Sequence, residues 1–145
     1  MTSQHLENLV KSGSLKSEPS SQSEFNGLLR SAQARLTDAR NVSLAIESRF
    51  DLGYNASHAL ALAALRWHGY RSDNRYTVFQ CLQHTLNVKP EVWRVLAQCH
   101  QRRNVAEYEG HLEASDQLII ELIAAADLLQ KKVEALAPIK PMTPS

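Results

Sequence analysis

A run of seven apolar residues, ALALAAL at positions 59–65, constrains the fold of this chain more than any other feature. The run lies inside a longer segment, residues 43–68, in which apolar and small side chains recur at alternating steps of four and three. That spacing is typical of one face of an α-helix. Because the run itself is apolar on every side, this helix is predicted to be the buried centre of a helical bundle.

Composition and periodicity extend the helical prediction to the rest of the chain. Only five Gly and five Pro occur among the 145 residues, and a low content of helix breakers favours helix throughout. Apolar residues at helical spacing predict four further main helices, at residues 23–40, 73–86, 90 to a frayed end at 102–107, and 115–137. We therefore predict an all-α fold, an up-and-down bundle of four to five main helices, and exclude sandwiches, barrels and Rossmann enzymes.

The folded domain is expected to comprise residues 23–137, with Ser23 as the cap of its first helix. Residues 1–22 are predicted to be a flexible N-terminal segment that contains one short helix at 3–10. The part of this segment after the short helix is rich in serine and contains both Gly and Pro, which is typical of a linker. Residues 138–145 contain three prolines and are predicted to be a mobile tail.

The charge balance lacks the basic excess that is typical of a dedicated nucleic-acid-binding protein. Sixteen Lys and Arg face fifteen Asp and Glu, a formal net charge of +1, although all ten arginines lie between positions 30 and 103. The two cysteines suit a reducing compartment better than a disulfide framework. The first sixteen residues are polar, and the longest apolar run is too short to span a bilayer. We expect a cytoplasmic protein without membrane contact.

Cys81, His84, Cys99 and His100 are the candidate metal ligands. Cys81 and His84 are three residues apart and share a helix face, but adjacent residues such as Cys99 and His100 point about 100° apart on a helix. A structural zinc site needs four converging ligands. The favoured interpretation is therefore core thiols and surface imidazoles, and we expect no metal and no cofactor.

The segment at 100–111, HQRRNVAEYEGH, concentrates polar groups between two predicted helices. Arg102 and Arg103 offer bidentate contacts to phosphate, Asn104 can orient a neighbour, and Tyr108 can stack or donate a hydrogen bond. These four residues are the candidate contacts for a nucleotide or RNA. The alternative, which composition alone favours, is a helix end whose arginines interact with the helix dipole and the acidic last helix.

Two parts of the sequence resemble HEPN-domain proteins. The stretch F-x-x-x-Y-N-A-S-H-A-L-A-L-A-A-L at 50–65, followed by G-Y-R at 69–71, is similar to the long second core helix of that family. R-R-N-x-x-x-Y at 102–108 resembles the motif between its third and fourth core helices. The resemblance covers about residues 23–137. It implies a HEPN-like bundle that dimerises with its motifs facing each other. The family includes metal-independent RNases, toxins of toxin–antitoxin pairs and partner proteins of nucleotidyltransferases.

The motif of this chain departs from the family pattern at one position. In the family an Arg, usually with a polar residue after it, precedes a His by four to six residues. Arg103 matches the Arg and Asn104 matches the polar neighbour, but Tyr108 stands where the His belongs. A phenol titrates near pH 10 and is a poor base at neutral pH. His111 lies eight residues beyond Arg103, outside the family spacing, and would reach the site only if Gly110 turned the chain.

Three hypotheses follow from these residues. The favoured one is a non-catalytic HEPN-like module that forms a homodimer and binds a partner protein or nucleotide, for example a nucleotidyltransferase or an antitoxin. Its dimer face is expected on the long helix or the last helix. The second is a metal-independent endoribonuclease toxin, in which Arg103 holds the phosphate, Asn104 orients it, and Tyr108 or His111 handles the proton. The third is an unrelated bundle whose surface serves only assembly. Whether the chain is an enzyme stays open, with the missing His favouring no catalysis.

Overall fold

The computed structural model describes residues 4–139, and helices dominate that range. The elements are α1 (Gln4–Lys11), β1 (Lys16–Ser17), α2 (Gln22–Ala39), α3 (Ile46–Trp67), β2 (Tyr70–Arg71), α4 (Arg75–Gln80), α5 (Leu82–Thr85), α6 (Pro90–Glu109) and α7 (Asp116–Glu134). The prediction of an all-α helical bundle is confirmed. No helix among the described residues combines the length and apolar character needed to cross a bilayer.

Helix α3 is the centre of the bundle, as its apolar run predicts. It packs most extensively against α2 and α7, and also contacts α4, α5 and α6. Leu60 and Leu65 are completely buried. Gly53 lets α7 approach closely, because a Cβ at this position would lie only 3.1 Å from Cδ2 of Leu122. A small residue at one point of α3 therefore sets its distance from α7.

Local capping chemistry sets most helix ends. The hydroxyl of Ser115 accepts a hydrogen bond from the backbone N–H of Leu118 at 3.1 Å, which caps α7. Pro90 occupies the first turn of α6, and Gly110 ends that helix with a φ of 81°, a left-handed conformation that costs glycine little. Helix α2 begins earlier than expected. Its cap is Ser21, not Ser23.

The N-terminal segment is not the flexible linker that its composition predicts. The short helix α1 is present, and Leu6 and Leu15 are almost completely buried in the core. Strand β1 then pairs antiparallel with β2, with Lys16 opposite Arg71. The backbone N–H of Glu18 also donates to the carbonyl of Gly69 at 2.9 Å. Two apolar anchors and a short strand pairing therefore hold a segment whose serine content indicates a loop.

Four charged residues, here called the Arg66 network, fasten this segment to the bundle. They are Glu18, Glu24, Arg66 and Arg71. The Arg66 side chain is only 2% exposed, and its Nε lies 2.7 Å from Oε1 of Glu24. Its two terminal nitrogens donate to the carbonyls of Glu18 and Pro19. Arg71 contacts both carboxylates at 2.5 Å. A buried arginine thus satisfies backbone carbonyls of the short connection between β1 and α2.

Three other boundaries differ from those predicted. The helix expected at 73–86 is divided into α4 and α5 at Cys81. Helix α6 does not fade at 102–107 but continues to Glu109, because the left-handed Gly110 is its true end. The start of the predicted tail is attached, since the N–H of Ile139 donates to Oε1 of Gln22 at 2.7 Å. The rest of the tail prediction concerns residues 140–145, which lie outside the described residues.

Candidate functional site

The motif that the sequence placed between two helices lies almost entirely on one helix. Residues 100–109 belong to α6, and only Gly110 and His111 follow its end. Side chains of a continuous helix are distributed around its axis at about 100° per residue. The motif therefore cannot converge as a loop would, and each of its side chains meets a different environment.

Arg103 and Asn104 face a buried tyrosine of α3. Tyr54 is fully buried, and its hydroxyl lies 2.8 Å from Nδ1 of His100. The other ring nitrogen of His100, Nε2, lies 3.2 Å from Nδ2 of Asn104. With the Asn104 amide donating to Nε2, the neutral ring carries its proton on Nδ1 and donates it to the Tyr54 oxygen. Both nitrogens of His100 are therefore engaged.

Two guanidinium groups lie against the same tyrosine ring. The Cζ atom of Arg103 is 5.3 Å from the Tyr54 ring centroid, and that of Arg75 is 5.5 Å from it. Both distances are within the range of cation–π attraction. Arg75 donates to the amide oxygen of Asn55 at 3.1 Å, and Arg103 pairs with Glu107 at 3.1 Å. Among the described residues, no carboxylate forms an ion pair with Arg75.

Two histidines complete a group here called the Tyr54 cluster. Its members are Tyr54, His58, Arg75, His100 and Arg103. Burial, together with the charges of Arg75, Arg103 and His100, lowers the pKa of His58 to about 4. Burial, Arg103 and Arg75 likewise lower the pKa of His100 below its ordinary value. Both imidazoles are neutral at pH 7. Every charge that shifts their pKa is positive, so the cluster has a positive potential that favours an anion.

An exposed aromatic ring lies beside the cluster. Tyr76 is 43% exposed, and its ring centroid lies 6.4 Å from that of His100. Tyr76 also contacts Trp93 in a T-shaped pair, with ring centroids 6.5 Å apart and an interplanar angle of 81°. The indole N–H of Trp93 is buried, with no hydrogen-bond partner in the described part of the chain. The cluster therefore has a solvent-facing π surface at its edge.

The other predicted site residues do not reach the Tyr54 cluster. Tyr108 is 96% exposed. It lies five residues after Arg103, so its side chain is rotated by about 140° around the helix axis from that of Arg103. Nε2 of His111 lies 3.9 Å from Glu109 and does not contact Arg103. Arg102 points towards the start of α7, where Nη1 lies 3.4 Å from Oε2 of Glu113. The structure thus brings together Arg103 and Asn104, and separates them from Arg102, Tyr108 and His111.

Sequence reasoning missed most of the cluster. Tyr54 and His58 are four residues apart on α3, while His100 and Arg103 are three apart on α6. These spacings place each pair on one helix face. They would have indicated the cluster once α6 was recognised as continuous through the motif. Arg75 carries no comparable signal, because only the packing of α4 against α3 brings it to Tyr54.

The candidate metal ligands do not form a common site. Cys81 and Cys99 are buried in the core, and burial raises the pKa of their thiols to about 11 and 12. His84 stacks on His5 with ring centroids 4.5 Å apart, whereas His100 bonds to Tyr54. Within residues 4–139, no group of three or more His, Cys, Asp or Glu side chains could hold a metal ion.

No family model, curated protein or solved structure matches this chain. The HEPN resemblance therefore stays a prediction that rests on the residues quoted for it. Function has to be argued from the chemistry of the Tyr54 cluster.

Proposed function

We propose that this chain is a non-catalytic, HEPN-like helical module that binds a nucleotide or RNA through a phosphate contact at Arg103. One observation carries the proposal. Arg103 and Arg75 lie on one buried ring, and within the described residues Glu107 is the only carboxylate paired with either. Guanidinium groups bind phosphate oxygens bidentately. A phosphate would supply the negative charge that this cluster lacks.

The same geometry argues against catalysis by the motif. Cleavage of RNA without a metal needs a group that accepts a proton from the 2′-hydroxyl and another that returns one to the leaving oxygen. The phenol of Tyr108 and the imidazole of His111 point away from Arg103. His100 is close to Arg103, but both of its ring nitrogens are engaged by Tyr54 and Asn104. Therefore none of these three side chains both lies beside Arg103 and has a free atom that could transfer a proton.

A metal-independent endoribonuclease is the second candidate, and the position of His100 is what favours it. If substrate binding displaced the Asn104 amide, Nε2 of His100 would become available beside Arg103. That mechanism would use a histidine three residues before the arginine in place of Tyr108 or His111. Cleavage by the wild type that is lost in His100→Ala would identify it.

The proposal includes a homodimer and a protein partner. Of the two helices expected to carry the dimer face, α3 is largely enclosed, whereas α7 exposes 60% of Ile120 and 37% of Leu128. We place the dimer face on α7 for that reason. A nucleotidyltransferase or an antitoxin is the class of protein partner that the HEPN resemblance implies. Light scattering of the wild type and Ile120→Glu tests the dimer, and an unchanged mass in the variant would exclude this face.

The decisive experiment measures RNA binding and cleavage together. Wild type, Arg103→Ala and Arg30→Ala are incubated with a labelled mixed-sequence RNA in EDTA at pH 7. Arg30 is the matched control, because it is exposed and lies on α2, away from the cluster. We expect binding without cleavage, and at least about tenfold weaker binding in Arg103→Ala alone. Equal binding by all three proteins would contradict the proposal, as would cleavage that Arg103→Ala abolishes.

A further inference from the structure

We propose that the Tyr54 cluster and Tyr76 together form a site for a single nucleotide, with the phosphate between Arg75 and Arg103 and the base stacked on Tyr76. This inference rests on the proposed function and deepens it. It adds a second phosphate contact, Arg75, which the motif does not contain, and a base contact, Tyr76, on the same short helix. The ligand class is a free nucleoside 5′-phosphate.

The phosphate half follows from how the two arginines are held. Tyr54 is fully buried and its hydroxyl is bonded to His100, so the ring is a fixed support. Both guanidinium groups rest on that ring and belong to different helices, α4 and α6. A guanidinium has five N–H donors in a planar fork. Arg75 uses one of its nitrogens on the neutral amide of Asn55, which leaves donors for an oxyanion.

The charge of the cluster selects an anion over a neutral ligand. Burial, together with Arg75 and Arg103, lowers the pKa of His58 and of His100, so both imidazoles are neutral at pH 7 and the two arginines supply the positive charge of the cluster. Glu107, the one carboxylate among the described residues that forms an ion pair with either arginine, is 63% exposed. The Asp51 carboxylate is nearby, but it accepts from the Asn55 amide at 3.2 Å and forms no ion pair with Arg75 in that part of the chain. An exposed ion pair such as that of Glu107 contributes little and is easily exchanged for a bound phosphate.

The base half follows from Tyr76. Its ring is 43% exposed although it contacts both His100 and Trp93. Trp93 lies nearly perpendicular to it, at 81°, and so is not stacked parallel on the Tyr76 ring. A purine or pyrimidine stacks on such a surface without regard to sequence. An acidic peptide would also meet the arginines but would leave this surface uncovered, so the pairing of cations with a free aromatic ring favours a nucleotide.

The test separates the two halves of the site by using three probes. Isothermal titration measures binding of adenosine 5′-monophosphate, inorganic phosphate and adenosine to the full chain at pH 7. The variants are Arg75→Gln, Arg75→Lys, Arg103→Gln and Tyr76→Ala, with Arg30→Gln as the matched arginine control. Thermal melting checks that each variant is folded, and Arg75→Lys keeps the charge at position 75 if Arg75→Gln is unstable.

We expect adenosine 5′-monophosphate to bind more tightly than phosphate or adenosine. Arg75→Gln and Arg103→Gln should each weaken both phosphate-bearing probes by about tenfold or more, with a smaller loss in Arg75→Lys. Tyr76→Ala should weaken the nucleotide by about fivefold or more and leave inorganic phosphate unchanged. Arg30→Gln should bind like the wild type.

Contrary results separate this inference from the proposed function. Loss of nucleotide binding in Arg103→Gln but not in Arg75→Gln would overturn the two-arginine site and leave the proposed function standing. An equal loss of phosphate and nucleotide in Tyr76→Ala would overturn the base contact. RNA binding without binding of the mononucleotide would overturn the single-nucleotide site alone. If the wild type bound neither RNA nor nucleotide, both proposals would fall.

Discussion

The Arg66 network and the Tyr54 cluster each contain two arginines, and within the described residues only the Arg66 network pairs both of its arginines with carboxylates. In the Arg66 network, Arg66 and Arg71 contact two glutamates between them. The arginines lower the pKa of Glu18, and the glutamates raise the pKa of Arg71, so each charge stabilises its partner. In the Tyr54 cluster, Arg75 and Arg103 lower the pKa of two histidines instead.

This difference indicates that the arginines of the Arg66 network stabilise the fold, whereas those of the Tyr54 cluster remain available to a ligand. The Arg66 guanidinium is 2% exposed and satisfies backbone carbonyls, so its function is to hold the N-terminal segment. The Arg103 side chain is 31% exposed, and its only ion pair within residues 4–139 is to an exposed carboxylate. Positive charge that is only partly neutralised and is open to solvent is typical of an anion-binding site.

The largest expected effect is a loss of stability when the Arg66 network is broken. Arg66→Ala would remove the guanidinium that donates to the carbonyls of Glu18 and Pro19 and would leave Glu24 with Arg71 as its remaining donor. We expect a loss of about 3 kcal/mol in the free energy of unfolding, measured by urea denaturation. RNA binding by the folded fraction should stay at the wild-type level. A loss below about 0.5 kcal/mol, the range of ordinary surface substitutions, would mean that this network is not structural.

Substitution in the Tyr54 cluster should instead lower ligand affinity and leave stability nearly unchanged. Arg103→Gln removes one of two like charges on the Tyr54 ring, so we expect little change in the free energy of unfolding. Nucleotide affinity should fall by about tenfold, which corresponds to about 1.4 kcal/mol. Titration and urea denaturation on the same preparation measure both quantities. A fall in stability with intact affinity would make Arg103 a structural residue like Arg66.

Acid should weaken the fold through His58. Its pKa is about 4 in the folded chain, below the ordinary value of 6.5. The unfolded chain therefore binds this proton more readily, and the free energy of unfolding should fall as the pH drops from about 6.5 to 4. His58→Gln should flatten this part of the stability profile. An unchanged slope in the variant would show that His58 is not the group responsible.

The smallest effect is expected at Tyr108. Its side chain is 96% exposed, so Tyr108→Ala should change the free energy of unfolding by less than about 0.5 kcal/mol. RNA affinity should also change little, in contrast to Arg103→Ala. A loss of RNA affinity equal to that in Arg103→Ala would show that Tyr108 contacts the ligand, and would favour a ligand that extends along α6.

The sequence predicted the centre of this fold better than its edges. The apolar run at 59–65 required a buried helix, and the starts predicted at Pro90 and Ser115 agree with the structure. The short N-terminal helix was predicted, but the attachment of the residues after it was not, because that attachment is made by a strand pairing and by one buried arginine that donates to backbone carbonyls. A serine-rich composition indicates that a segment is not helical. It does not indicate whether a side chain distant in sequence donates hydrogen bonds to the carbonyls of that segment.

The candidate site was predicted only in part, for a related reason. Arg103 and Asn104 stand out in the sequence because they are adjacent polar residues in a recognisable motif. Tyr54 and Arg75 belong to helices that meet α6 only through tertiary packing, and no spacing along the chain connects them. Tyr108 was misplaced because a helix was expected to end before it, whereas α6 continues and carries the phenol outward.

The most direct test of the central claim is titration of Arg75→Gln with adenosine 5′-monophosphate, with Arg30→Gln alongside. Arg75 is the residue that only the geometry of the Tyr54 cluster assigns to the site. We predict affinity lower by about tenfold or more in Arg75→Gln, with wild-type affinity in Arg30→Gln and wild-type melting temperatures in both. Wild-type affinity in folded Arg75→Gln would contradict the claim that the two arginines on Tyr54 form one anion-binding site.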